Sequence, residues 1–167
     1  MSSLSAENYF KKGLSALVEQ SFVDASVHFR RALELDRERN KRQPDMRYLS
    51  YYGYSLAKGK LSTSTAIQAC RTAVSRQKND PLLFLNLGRV YVVAGKRSLA
   101  AEAFERALRL APADKTIRSE LARVDRRGRP VIPQLSRDHA LNIWLGKVRA
   151  NLRGRQASQA AAVGLRS

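Results

Sequence analysis

The sequence predicts an all-α protein, an α-solenoid of about three helical hairpins with a capping helix and a basic C-terminal extension. Three observations predict it. Apolar residues recur at helical spacing, as Phe84, Leu87 and Tyr91 do at i, i+3 and i+7. The pattern A-x3-(F or C)-x2-A occurs at Ala25, Ala66 and Ala100, so one supersecondary unit is repeated. Gly and Pro punctuate the periodic segments, at Pro44, Gly59, Pro81, Gly95 and Pro112, where helices stop or start. A hairpin of this kind cannot bury its apolar face alone and needs neighbours.

Residues 6–39 read as the first hairpin. Tyr9, Gly13 and Ala16 carry its first helix. Ala25, Phe29 and Ala32 give its second helix a small-large-small face, and Phe22 packs at the turn. Lys12 stands where an apolar residue is expected, as suits a terminal repeat. His28 has no partner at ligand spacing and reads as an ordinary histidine. Residues 40–45, NKRQPD, form a polar linker in which Pro44 ends the helix.

Residues 46–80 read as a degenerate second hairpin. Leu49, Tyr52, Gly53 and Leu56 supply the first helix, Gly59 marks the turn, and Ser62 is a candidate cap. Ala66, Cys70 and Ala73 repeat the small-large-small face, with Cys70 in the place of Phe as a buried apolar side chain. Gly53 to Ser62 has the outline of a phosphate loop and fails as one. Five residues separate Gly53 from Gly59, and Leu61 follows Lys60 where Ser or Thr is needed.

Residues 81–114 form the third hairpin. Phe84, Leu87, Gly88, Tyr91, Ala100, Phe104, Ala107 and Pro112 fall in the order and spacing W-x2-L-G-x2-Y…A-x3-F…P, with Phe for Trp. Gly88 lies beside the apolar stripe and lets a second helix approach. Gly95 with Lys96 marks the turn, and Ser98 is a candidate cap. This segment resembles a tetratricopeptide repeat, and the two before it resemble weaker copies. Residues 115–127 then supply a closing helix with Ile117, Leu121 and Val124 as its stripe.

Beyond this repeat domain, residues 128–155 read as a Pro-containing strap followed by a basic amphipathic helix. Pro130 and Pro133 keep the strap extended, and Trp144, Lys147, Arg149 and Arg153 mark the helix as a contact segment. Residues 156–167 are expected to be a disordered tail.

The net charge is +17 and uneven. Residues 1–45 carry 8 Lys+Arg against 7 Asp+Glu, residues 46–112 carry 11 against 3, and residues 113–167 carry 12 against 4. Such a surplus favours acidic partners. The single Cys70 excludes an internal disulfide. The start MSSLSAENYFKKG has no apolar run and no stretch is long and apolar enough for a membrane span, so a cytoplasmic protein is expected. Two histidines and one cysteine are too few for a zinc cage, and no catalytic motif is present. Neither an enzyme nor a cofactor is expected.

The resemblance implies a binding scaffold in which the first helix of each repeat lines a concave groove. The groove residues would be Phe10, Leu14 and Leu17, then Arg47, Ser50, Tyr51 and Tyr54, then Leu85, Asn86 and Arg89. This mixture suits a peptide or helix of acidic character. Some family members grip a C-terminal carboxylate with a Lys/Asn/Arg clamp. Here only Asn86 and Arg89 are like it, while Phe10, Leu14 and Leu82 hold other expected polar places, so no clamp is expected. Other partners compatible with the charge are nucleic acid, an anionic membrane surface met by the C-terminal helix, and a second copy joined through that segment.

Overall fold

Small polar side chains set the helix starts. In a computed structural model that describes residues 5–125 and Trp144, Ser5 Oγ accepts from the Asn8 amide and Ser62 Oγ from the Thr65 amide, each at 3.3 Å. Asp45 and Asp80 accept from the Arg47 and Leu82 amides at 2.9 Å, and Asp114 accepts from Thr116 and Ile117. These bonds satisfy amides that the helix itself leaves free. Ser98 does not act as a cap. The sixth helix starts at Arg97 after Lys96, which offers no side-chain acceptor, and Ser98 lies inside it.

The described residues form seven helices: α1 Ala6–Val18, α2 Phe22–Arg39, α3 Met46–Lys58, α4 Thr63–Arg76, α5 Pro81–Val93, α6 Arg97–Leu110 and α7 Lys115–Asp125. They contain no strand. The expected all-α solenoid of three hairpins and a closing helix is what is observed.

Each first helix ends in the same turn. The amides of Ser21, Leu61 and Lys96 donate to the carbonyls of Ala16, Leu56 and Tyr91, five residues back, at 2.8–2.9 Å. The residue before each donor is left-handed: Gln20 at φ 59°, Lys60 at φ 55° and Gly95 at φ 74°. This is the Schellman closure. In the second hairpin the left-handed residue is therefore Lys60, and Gly59 before it is right-handed at φ −76°.

Pairs α1–α2, α3–α4 and α5–α6 pack as hairpins, and α2–α3 and α4–α5 join them. Helix α3 also packs directly on α5, whereas α2, α4 and α6 do not pack comparably on one another. With Phe10 of α1 against Tyr48 and Tyr51 of α3, helices α1, α3 and α5 form one layer, the inner one. Phe29, Cys70 and Phe104 are fully buried between layers. The linker after α2 is tied down by buried Asp36, which accepts from the Asp45 amide at 2.6 Å and from Asn40 Nδ2 at 2.7 Å.

The chain divides into two compact units, Met1–Val124 and Asp125–Ser167. Of the second, Trp144 is helical and exposed. The strap, Lys147, Arg149, Arg153 and the tail at 156–167 lie outside the described residues.

Candidate peptide-binding face

The inner layer is built from residues of α1, α3 and α5 that meet across repeats. Near α1 the contacts are aromatic. The Phe10 ring lies 5.1 Å from Tyr48, 5.3 Å from Tyr51 and 5.6 Å from Phe29, all tilted or edge-on as ring quadrupoles favour. Arg47 sits over the Phe10 ring at 5.5 Å. Tyr48 donates its hydroxyl to Glu7 at 3.1 Å. Burial and that carboxylate push the Tyr48 phenol up to about 12.

Between α3 and α5 the contact is polar and closed. Asn86 Nδ2 donates to Ser50 Oγ at 3.2 Å, and Cys70 Sγ donates to the Ser50 carbonyl at 3.4 Å. Both Ser50 and Asn86 are fully buried, and Asn86 Oδ1 has no partner among the described residues. Burial pushes the Cys70 thiol up to about 12, against the pull of its bond to Ser50. A thiol held protonated in this way is a packing group and not a nucleophile.

These contacts correct part of the expected groove. Phe10, Leu85, Asn86 and Ser50 are buried in the core. They share the inner side of their helices with groove positions, but α3 and α5 approach too closely to leave them accessible, and Phe10 is roofed by Arg47 and two tyrosines. Leu14, Leu17, Tyr51, Tyr54 and Arg89 are partly exposed, as is Leu82, which occupies one of the missing clamp positions. Leu14, Leu17 and Tyr51 pack over the core around Phe10 and Phe29, and Tyr54 and Leu82 over the core around Leu87 and Phe104.

Both arginines of this face are already paired. Arg47 Nη2 and Nε reach Asp45 Oδ2 at 2.6 and 2.9 Å. Arg89 Nε donates to Glu120 Oε1 of α7 at 2.9 Å while its guanidinium lies 5.6 Å from the Tyr54 ring centroid. Burial raises the Tyr51 and Tyr54 phenols, and nearby Arg89 opposes it in both. The sequence did not single out Glu120, which stands 31 residues from Arg89 and meets it only because α7 folds back. The periodic signal of α7 as a closing helix was the one hint.

No family model and no curated protein matches the sequence. Solved structures do match. The first TPR of Spaghetti (RPAP3), bound to HSP90 peptide SRMEEVD, has a TM-score of 0.59 at 17% identity, covering 75% of this chain and 94% of that one. The Arabidopsis OM64 TPR domain gives 0.58 at 21%, covering 72% and 94%. PcrH of Pseudomonas aeruginosa, in complex with the chaperone binding region of PopB, gives 0.55 at 21%, covering 72% and 92%. The hairpin order and these neighbours agree, and the chain has the tetratricopeptide-repeat fold.

Proposed function

We infer that the protein is an interaction scaffold that holds a segment of another protein on its inner face by apolar anchors. One observation carries this reading. Leu14, Leu17, Tyr51, Tyr54 and Leu82 are partly exposed on the inner layer, whereas Arg47 and Arg89 already hold carboxylates of the same chain. A partner carboxylate gains little where it must displace another, since it exchanges one ion pair for another of the same kind. An aliphatic or aromatic side chain loses water against these leucines and tyrosines with nothing to displace.

Acidic character in the partner then acts at longer range. The net charge of +17 speeds encounter with an acidic segment and makes that rate fall with salt. Support for a peptide ligand also comes from the neighbours, since the Spaghetti domain holds an HSP90 peptide and PcrH holds a region of PopB.

The test is peptide-display selection on the purified chain, followed by affinity measurements with the selected peptide. Leu14→Ser and Tyr54→Ser are each expected to weaken binding about tenfold or more. Amidation of the peptide's C-terminus is expected to change little. Selected peptides that bind both variants as tightly as the parent chain would show that the inner face is not the site.

A further inference from the structure

The exposed large apolar side chains of the repeat unit are not scattered. Val18, Val23, Leu61, Val92, Val93 and Leu99 all lie where a first helix gives way to a second, with Val27 one turn further into α2. Among residues 5–124 no other large apolar side chain is exposed to this degree. Single exposed apolar residues are ordinary, but their confinement to one edge is not. The first two turns are in contact there. A Cβ on Gly59 would lie 3.1 Å from Phe22 Cβ, and Lys58 Nζ lies 5.5 Å from the Phe22 ring centroid.

The same edge is basic in the second and third hairpins. Residues 56–67 and 90–101 carry Lys58, Lys60, Lys96 and Arg97 and no Asp or Glu. Lys60 occupies a left-handed position at φ 55°, where glycine would be less strained. Gln20 holds the matching position of the first turn, so the angle belongs to the closure; what is particular to the second turn is a cation at that position beside Leu61, exposed at 47%.

We propose that this turn edge docks on an anionic bilayer surface, with Leu61, Val93 and Leu99 entering the interface and Lys58, Lys60, Lys96 and Arg97 meeting acidic headgroups. The chemistry separates this occupant from others. The first turn carries Glu19 and Asp24 and is outside this contact, and a second copy meeting the second and third turns with the same turns would bring like charge against like. Nucleic acid is held through its phosphates or by stacking on aromatic rings, and neither uses exposed aliphatic tips. Exposed aliphatics beside lysines are what an interfacial anchor needs. The described helices include none long and apolar enough to cross a membrane, so the contact is peripheral.

The experiment is flotation of the full chain with vesicles of phosphatidylcholine alone and of phosphatidylcholine with phosphatidylserine. Binding is expected only to the second. Lys60→Gly and Lys96→Gln are each expected to weaken it about fivefold, and the triple variant Leu61→Ser, Val93→Ser, Leu99→Ser more strongly. Lys60→Gly does so while raising the melting temperature, which a loss of fold could not produce. All these variants leave the basic residues beyond 125 unchanged. Absence of flotation overturns the proposal. So does flotation of the triple variant at the parent level, because attachment by the C-terminal segment or by charge alone needs no aliphatic tip.

Discussion

In the outer two hairpins a glycine of the first helix faces a phenyl ring, while in the middle one it faces a thiol. A Cβ on Gly13 would lie 2.5 Å from Phe29 Cε1, and one on Gly88 2.4 Å from Phe104 Cε1. On Gly53 it would lie 2.8 Å from Cys70 Sγ and also 2.8 Å from the Ala66 carbonyl oxygen. At Gly53 the carbonyl of the second helix is itself within reach of a Cβ, so glycine is required there even though no ring stands opposite.

The largest test of this contrast is truncation of the large side chain. Phe104→Ala and Phe29→Ala are expected to cost about 3–5 kcal/mol each in chemical denaturation. Cys70→Ala removes one sulfur and should cost about 1 kcal/mol. Equal costs for Cys70 and Phe104 would erase the distinction.

Adding a methyl should come next in size. Gly88→Ala and Gly53→Ala are each expected to cost about 1–3 kcal/mol by overpacking. The two part company in a second background. With Phe104→Ala the obstructing ring is gone, and Gly88→Ala should become stabilising by about 0.5–1 kcal/mol through helix propensity. With Cys70→Ala the Ala66 carbonyl remains, so Gly53→Ala should stay destabilising. Rescue in both pairs would show that side chains alone set the spacing.

Alkaline pH probes the same thiol. Its ordinary value of 9.0 is raised to about 12 by burial, and Tyr48 moves from 10.0 to about 12. Both groups are neutral in the fold and ionise more readily in the unfolded chain. Their contribution is complete below pH 9 and is lost as pH rises from about 9 toward 12. Denaturation midpoints should fall over that window, and less so in Cys70→Ala.

The smallest expected effect lies at the turns. Lys60→Gly should stabilise by about 0.5–1 kcal/mol by relieving the left-handed lysine. Gly95→Lys, the reverse change in the third hairpin, should cost a similar amount. A thermal melt of each variant reads both.

The repeat architecture was legible because its signals are local. Glycine, the large residue of the following helix and the flanking alanines recur at fixed spacing, and their contacts stay within one hairpin. The inner face was only partly legible. Periodicity places Phe10, Leu85 and Asn86 on the correct side of their helices, but their burial depends on how closely helices of different repeats approach. Nothing in a single segment encodes that distance. The Asp36 ties, the Ser50–Asn86 bond and the Arg89–Glu120 pair are likewise contacts across connections. The Ser98 assignment failed for a local reason: closure at Gly95 starts the helix two residues after the turn, before Ser98 can serve.

Cys70 also has a practical meaning. It is the only native sulfhydryl, and it is sealed inside the array. Maleimide dyes and spin labels should pass it by at neutral pH. An engineered cysteine at the solvent-facing Val18 or Val27 would then carry the sole reporter, so movements of the solenoid could be followed without first removing a residue that holds its middle together.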